Sequence, residues 1–251
     1  MANGSKSSLE EATRGRAHFS EHGESLGAAG FHDLEDAAVH TDDLLVDSSG
    51  ESVVVDAPKG GFPEILINLS WDRIQVEKDP GFFEKLFKGN KKVIEEEPVD
   101  LDLGCLYELQ NGERGCLQAF GDMYGSFSTP PYIAHQGDER TGDPEDVDEQ
   151  MVINGAKWNE IKRVLFYIYI YQGTPNWRRV KPEIMIDIPG ENDLKMTPHV
   201  TQGDLVMCAV GTLENLNGAM KLTNHSEYFR GHAEMDRAFG YGLEWEDGAK
   251  D

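Results

Sequence analysis

The sequence predicts an all-β protein, a two-sheet antiparallel β-sandwich preceded by a disordered acidic tail. From Phe62 onwards, short runs of β-branched and aromatic residues alternate with turn residues almost to the end of the chain. Only one segment, around residue 235, has a helical pattern. Residues 1–60 are rich in acidic and small residues, and such a composition buries too little apolar surface to offset the entropy of ordering. We therefore predict a tail over residues 1–60 and a sandwich domain over residues 61–251.

The charge of the chain limits its partners. It carries 46 acidic and 23 basic residues among 251, a formal net charge of -23 at pH 7. This balance argues against nucleic acid, because phosphate binding depends on Lys and Arg. No apolar run reaches the roughly 18 residues that a membrane span requires, and the N-terminus lacks the apolar stretch of a secretory signal. We expect a cytoplasmic protein that does not insert directly into a membrane.

The first half of the predicted sandwich contains three strands. Residues 64–71 and 99–109 have the alternation of strands, and an Asn-Gly turn signal at Asn111 leads to a third strand at residues 115–120. The intervening segment 79–98 combines a short amphipathic stretch with a charge run. It is predicted to be an inserted loop with two helical turns.

The second half contains the strongest strand, at residues 162–172. Both of its faces are apolar, which predicts a central strand. Its tyrosines, Tyr167, Tyr169 and Tyr171, share one face and are predicted to enter the inter-sheet core with their hydroxyls at the rim. The preceding segment 121–150 is predicted to be a long loop. Two later strands flank a turn at residues 215–218, and a helix near the C-terminus should pack through Met235 and Phe239.

The three cysteines give no sign of a disulfide framework or a zinc site. Cys105, Cys116 and Cys208 are an odd number, and none of them forms a CxxC spacing. Cys105 and Cys116 also lie in predicted strands among apolar residues. We therefore predict buried, inert thiols.

An acidic loop is the main candidate for a functional site. Seven carboxylates fall within the twelve residues from Asp138 to Glu149, opposed only by Arg140. Their repulsion can be relieved by solvation, by raised pKa values or by a bound cation. Glycine and proline between the acids let several oxygens converge, an arrangement that suits Ca²⁺. The alternative is a solvated surface loop without a ligand.

A second acidic pair lies on the predicted strand 99–109. Asp100 and Asp102 alternate with Leu101 and Leu103, so both carboxylates leave one face of the strand while the other face is apolar. A shared cation would balance the two like charges. A strand with a wet outer face would also have this pattern.

Three linked motifs resemble the tellurium-resistance stress-protein family and its TerD-like domain. They are VDLDLGCLYEL, the acidic loop within AHQGDERTGDPEDVDEQMVING, and the apolar strand in WNEIKRVLFYIYIY, in the same order. The C-terminal GHAEMDRAFGYGLEWEDG and the upstream EILINLSW resemble the TerA branch. The match covers about residues 62–248. The resemblance implies a TerD-like β-sandwich that binds Ca²⁺ and acts in a stress response without being an enzyme.

The resemblance also implies the cation ligands. Asp100 and Asp102 match the Asp-Leu-Asp pair of the family. The matching acids of the loop are Asp138, Asp143, Glu145, Asp148 and Glu149. Glu139 stands where Asn is usual and Asp146 where Gly is usual, and both remain candidate ligands. Because Pro144 and Val147 also depart from the pattern, one of two implied sites is expected to be weakened or lost, leaving one or two bound Ca²⁺ ions.

The function implied is that of a calcium-binding scaffolding or binding module. The family resemblance implies partners among other tellurium-resistance proteins, membrane-bound ones included, and self-association. The alternative is a metal-dependent hydrolase that uses the same carboxylates with Mg²⁺ or Mn²⁺, for which the sequence offers no evident general base. His232 and Asp236 would share a helix face, either as a transition-metal pair or in surface and capping roles. His135 is predicted to pack or hydrogen-bond at the base of the loop.

Overall fold

Half of the described residues lie in two facing β-sheets. The computed structural model describes residues 44–72, 74–78, 93–97, 99–119, 123–138, 149–172, 176–198 and 205–245, and every structural statement below concerns these ranges. The sheets have seven and six strands, and a separate two-stranded sheet accompanies them. The predicted all-β sandwich is confirmed.

The first sheet is antiparallel except at one edge. Its strands along the chain are β1 (Leu44–Leu45), β3 (Glu64–Ser70), β8 (Gly125–Ser126), β9 (Ile133–Asp138), β10 (Glu149–Asn154), β12 (Glu183–Asp187) and β13 (Leu194–Met196). Across the sheet they follow the order β1–β13–β12–β3–β10–β9–β8. The edge strand β1 pairs in parallel with β13, and the other neighbours pair antiparallel.

The second sheet is wholly antiparallel. Its strands are β2 (Ser52–Val55), β6 (Asp100–Leu109), β7 (Arg114–Leu117), β11 (Ile161–Gln172), β14 (Met207–Leu216) and β15 (Ala219–Phe229). They follow the order β2–β15–β14–β11–β6–β7, so β11 is a central strand, as predicted. The separate hairpin consists of β4 (Ile74–Lys78) and β5 (Val93–Glu97).

Three short helices complete the described structure. A 3-10 helix spans Gly155–Glu160, α1 spans Trp177–Val180 and α2 spans His232–Phe239. The predicted C-terminal helix is thus confirmed, and Met235 and Phe239 pack as expected. In the described ranges, no helix has both the length and the apolar character needed to cross a membrane.

Alternating apolar side chains fill the space between the two sheets. Fully buried residues of this core come from β3 of the first sheet and from β6 and β11 of the second, namely Ile65, Ile67, Leu69, Leu101, Leu103, Cys105, Phe166 and Ile168. A second apolar cluster lies on the outer face of the second sheet, where α2 and the residues after it pack against Leu106, Leu165 and Tyr167. The second sheet therefore has apolar contacts on both faces, which explains the two apolar faces of β11.

The hairpin turns lie where the sequence placed them. Gly112, which follows Asn111 between β6 and β7, has φ of +88°. Asn217 and Gly218, between β14 and β15, have φ of 54° and 99°. Two successive residues with positive φ are typical of the tight turns that match the twist of a hairpin, so the Asn-Gly pair fits this position.

Several predicted boundaries and one predicted orientation need correction. Strands β1 and β2 belong to the two sheets, so the sandwich includes residues upstream of the predicted boundary at residue 61, while residues 1–43 lie outside the described residues. The predicted loop 121–150 contains β8, β9 and the start of β10, and the predicted loop 79–98 contains β5. Tyr167 packs on the outer face of the second sheet, beneath α2, and not in the inter-sheet core.

Candidate cation site at the base of the acidic loop

The acidic loop leaves the first sheet between two paired strands. Asp138 ends β9 directly opposite Glu149, which begins β10. Residues 139–148 connect these two positions and lie outside the described residues. The two ends of the loop are therefore held side by side by the β9–β10 ladder.

Glu149 connects the end of the loop to the strand that carries Asp100 and Asp102. Its Oε2 accepts a hydrogen bond from the backbone N–H of Leu103, across the gap between the sheets. The residue is 2% exposed. A buried carboxylate needs such donors, because an unsatisfied buried charge is costly. The base of the acidic loop consequently lies beside β6, one residue after Asp102.

His135 completes this contact. Its Nε2 donates to the carbonyl oxygen of Leu103 at 3.1 Å and lies 3.5 Å from Oε2 of Glu149. The side chain is fully buried, which confirms the prediction that His135 hydrogen-bonds at the loop base. Pairing between β6 and β7 ends at Cys105, which lies opposite Leu117, so the backbone of Leu103 lies beyond the end of β7. Glu149 and His135 thus satisfy the two backbone groups that β7 no longer reaches.

Asp100 and Asp102 lie at the beginning of β6 on its outer face. Their neighbours Leu101 and Leu103 are fully buried in the inter-sheet core, as the alternation predicts. Asp102 pairs across the ladder with Tyr169, and Asp100 pairs with Gln172. Asp102 is only 6% exposed, so a wet outer face does not describe its surroundings. Near Asp102 the outer face of the second sheet is covered by α2, whose His232 ring lies 5.8 Å from the ring of Tyr169.

The structure describes part of the predicted ligand set. It brings Glu149 to the strand of Asp100 and Asp102 and places Asp138 opposite Glu149. The remaining predicted ligands lie outside the described residues; they are Glu139, Asp143, Glu145, Asp146 and Asp148. Within the described ranges, no group of three or more His, Cys, Asp or Glu side chains is arranged to hold a metal ion.

The chemistry of the described donors suits a hard cation. Asp100 and Asp102 offer carboxylate oxygens, which are the ligands that Ca²⁺ and Mg²⁺ prefer. Because Ca²⁺ takes six to eight oxygens, these two residues would supply only part of its coordination. The rest would come from the acidic loop, whose ends are anchored beside them.

The thiols have the inert character that the sequence predicts. All three cysteines are free. Burial raises the pKa of Cys116 and of Cys208 to about 12, and it also raises the pKa of Cys105. A thiol that stays protonated is a poor nucleophile and a poor metal ligand.

The suggested metal pair of His232 and Asp236 is not formed in the structure. The carboxylate of Asp236 accepts hydrogen bonds from the backbone N–H groups of Gly242 and Leu243 and from Nε1 of Trp245, at 2.7, 2.8 and 2.9 Å. Asp236 is buried and holds the turn that follows α2, so its role is neither that of a metal ligand nor the surface or capping role that was the alternative prediction. The ring of His232 stacks on Trp245, and burial lowers the pKa of its imidazole to about 4.

A buried ionic cluster around Glu108 has no signature in the sequence pattern and was not predicted. Its carboxylate is 3% exposed and accepts hydrogen bonds from Lys162 at 2.9 Å, from Arg163 at 2.7 Å and from Arg114 at 3.0 Å. Burial alone would raise the pKa of Glu108, but these three hydrogen bonds lower it to about 2. The partners come from β7 and β11, so only the pairing of β6 with both strands brings them together.

Comparisons with known proteins identify relatives of the chain. It is 39% identical over 196 residues to "Tellurium resistance protein TerA" of Alcaligenes sp., a match that covers 77% of this chain and 55% of that protein. It is 30% identical over 126 residues to "Stress response protein SCP2" of Bacillus subtilis (strain 168), covering 49% of this chain and 58% of that protein. The chain thus spans little more than half the length of these relatives. No family model matches the chain.

A solved structure is also similar. The crystal structure of a homologue of the telluride resistance protein TerD from Streptomyces coelicolor A3(2) aligns with a TM-score of 0.44 and 17% identity, covering 70% of this chain and 95% of that chain. The identity to the TerA protein extends over 77% of this chain. The chain belongs to the tellurium-resistance stress-protein family, in its TerA branch.

Proposed function

We propose that this protein is a calcium-binding, non-enzymatic module of the stress response, acting by binding or scaffolding in the cytoplasm. The observation that carries the proposal is the hydrogen bond from Leu103 to Glu149, which joins the acidic loop to the strand of Asp100 and Asp102. The contact ties one acid at the base of the loop, Glu149, to the strand that carries the other acids, Asp100 and Asp102. A multivalent cation between them would remove their repulsion.

In this proposal Asp100, Asp102 and the acids of residues 138–149 hold one or two Ca²⁺ ions. The bound cation supplies positive charge that orders the loop and forms a surface for a partner. The proposed partners are other tellurium-resistance proteins, membrane-bound ones included, and further copies of this chain. The relatives are named for resistance and stress response and not for catalysis, which supports a role other than that of an enzyme.

The proposal is tested by calorimetric titration of metal-stripped protein with Ca²⁺ and, separately, with Mg²⁺. We expect saturable micromolar or tighter binding that is stronger for Ca²⁺, because a crowded set of carboxylates suits its flexible coordination better than the strict octahedron of Mg²⁺. Asp102→Asn should weaken binding strongly, as should the pair Asp138→Asn and Asp148→Asn.

Asp56→Asn is the matched control, since it removes the same charge from an exposed position just after β2, at the other edge of the second sheet. It should leave the dissociation constant unchanged. Absence of both binding heat and a rise in melting temperature on adding Ca²⁺ would refute the calcium proposal. Tighter binding of Mg²⁺ than of Ca²⁺ would instead favour the hydrolase alternative.

A further inference from the structure

The residues after β15 form a distinct segment on the outer face of the second sheet. The C-terminal segment (residues 231–245) comprises α2 and the turn that follows it. Met235 and Tyr241 of this segment are fully buried against the sheet. The outer face of β6 that carries Asp102 also carries Leu106, which packs in the same cluster. The segment and the proposed cation site therefore share one face of one strand.

Asp236 fixes the internal shape of the C-terminal segment. It is 3% exposed, and its two carboxylate oxygens accept three hydrogen bonds from the turn after α2, one of them from the indole of Trp245. Hydrogen bonds to a charged acceptor are stronger than those between neutral groups. The position of Trp245 is thus set by Asp236.

The C-terminal end of α2 and the residues just after it are attached to β6 through the Glu108 cluster. Arg163 donates to the carbonyl oxygens of Phe239 and Gly240, at 2.9 and 3.2 Å, while its Nε donates to Glu108. Arg114 likewise joins Glu108 to the carbonyl oxygen of Tyr241 at 2.8 Å. These carbonyls at the end of α2 have no partners within the helix, so cationic donors suit them.

The start of α2 lies over the tyrosines beside Asp102. Nε2 of His232 is 3.1 Å from the hydroxyl of Tyr167, and the His232 ring lies 5.8 Å from that of Tyr169, the cross-strand partner of Asp102. The ring of Trp245 stacks on the ring of His232, with the ring centroids 4.9 Å apart. Contacts therefore run from Trp245 through His232 to the side chains next to Asp102.

Tyr167 fills the position beside Asp102 tightly. It pairs with Gly104, and a Cβ at that position would lie 2.2 Å from the Tyr167 ring, so the ring lies directly against the β6 backbone. Its hydroxyl contacts Cys116, Gln118 and His232. A ring packed this closely cannot shift without affecting the strand beneath it.

We propose that the C-terminal segment positions Asp102 for cation binding, with His232 and Trp245 as positioning residues, so that packing of the segment on the sheet and cation binding are coupled. This inference rests on the proposed calcium-binding function. Coupling is reciprocal, so a bound cation must also stabilise the segment by the same factor. The amides of Gly242 and Leu243, which donate to Asp236, report that stabilisation.

Trp245→Phe is the decisive variant, because it keeps an aromatic ring beside His232 and removes the hydrogen bond to Asp236. We expect the Ca²⁺ dissociation constant to become about fivefold larger. A change of this size corresponds to the loss of one typical hydrogen bond, if its full effect reaches the site. Calcium should also slow hydrogen exchange of the Gly242 and Leu243 amides in the unmodified protein. The control, Trp158→Phe, loses an indole hydrogen bond to Ala219 at the other end of the sandwich and should leave calcium affinity within twofold.

A double-mutant cycle of Asp102→Asn and Trp245→Phe, measured by urea unfolding without calcium, tests the coupling independently. We expect the two effects to be non-additive by about fivefold in the unfolding constant. Additive effects, or an unchanged calcium dissociation constant in Trp245→Phe, would overturn the inference. If the unmodified protein binds no Ca²⁺, the proposed function fails and the coupling to cation binding fails with it; the cycle then decides only whether the segment positions Asp102, which additivity refutes.

Discussion

Glu108 should be one of the most pH-sensitive determinants of stability in the described structure. Its carboxylate is buried among Arg114, Lys162 and Arg163, and hydrogen bonds from these groups lower its pKa from 4.5 to about 2. A group whose pKa is lowered by folding stabilises the folded state above the unfolded pKa, and this contribution is lost as pH falls through the folded pKa. The relevant window is therefore from about pH 4.5 down to about pH 2.

The magnitude follows from the change in pKa. A fall from 4.5 to about 2 corresponds to about 3 kcal/mol of stability at neutral pH. Lys162 and Arg114 are 53% and 40% exposed, so solvent screens part of their interaction with Glu108 and about 2 kcal/mol is a more realistic figure. Glu108→Gln should lower the free energy of unfolding by about this amount at pH 7, because it leaves three basic groups together without their carboxylate.

The assay is urea unfolding of both proteins from pH 7 to pH 2. The difference between them should be about 2 kcal/mol at pH 7 and should shrink towards zero as pH approaches 2. Glu214→Gln is the control, since Glu214 is 42% exposed and 3.7 Å from Lys221, and its loss should cost less than about 1 kcal/mol. A Glu108→Gln protein as stable as the unmodified one at pH 7, or a difference that does not depend on pH, would refute the reasoning.

Three further predictions concern the same strand and its covering segment. Gly104→Ala should destabilise the protein by about 1–3 kcal/mol in urea unfolding, because its Cβ would overlap Tyr167, whereas Gly231→Ala meets no atom within 4 Å and should be nearly neutral. Burial lowers the pKa of His232 to about 4, so the stability that depends on its neutral form is fully present above pH 6.5 and is lost as pH falls to 4. The His232→Gln protein should therefore show a shallower decline in the free energy of unfolding between pH 6.5 and pH 4. His135→Ala should cost about 1–3 kcal/mol by the same measurement, because a buried backbone carbonyl of β6 loses its donor, and a melting temperature equal to that of the unmodified protein would contradict this.

Periodicity predicted much of the fold because many strands carry their own signal. The central strand β11 has continuous apolar residues, and the β6–β7 and β14–β15 turns contain Asn-Gly pairs. Strand β9 was missed because its sequence IAHQGD is polar and short. The hydrogen bond from buried His135 to Leu103 of the opposite sheet is a contact with no signature in the local sequence.

The orientation of β11 shows a limit of period-two reasoning. Alternation establishes that Tyr167 and Tyr169 share one face and Phe166 and Ile168 share the other, but both faces are apolar, so the pattern does not say which one meets the other sheet. The answer depends on α2, which packs on the tyrosine face more than 60 residues later in the chain. Long-range packing of this kind also assembled the Glu108 cluster, whose acid and bases lie on three different strands.

The candidate site was predictable in outline for a different reason. Seven acids between Asp138 and Glu149 and two more at Asp100 and Asp102 are visible as a local excess of charge, whatever the fold. The sequence did not reveal the contact of Glu149 with Leu103, which fixes the base of the loop beside β6. Which loop acids approach Asp102 stays a prediction, since residues 139–148 lie outside the described residues.

Strand β6 carries acids at both ends of one face, and the two ends differ in how their charge is balanced. At Glu108, three basic side chains of the chain itself neutralise the carboxylate. At the Asp100–Asp102 end, the adjoining loop adds seven carboxylates and one arginine, so the local excess grows. Charge gathered in this way must be balanced by protons, solvent or a cation from outside the chain. The C-terminal segment spans both ends, which is why a perturbation at Trp245 should be felt at Asp102.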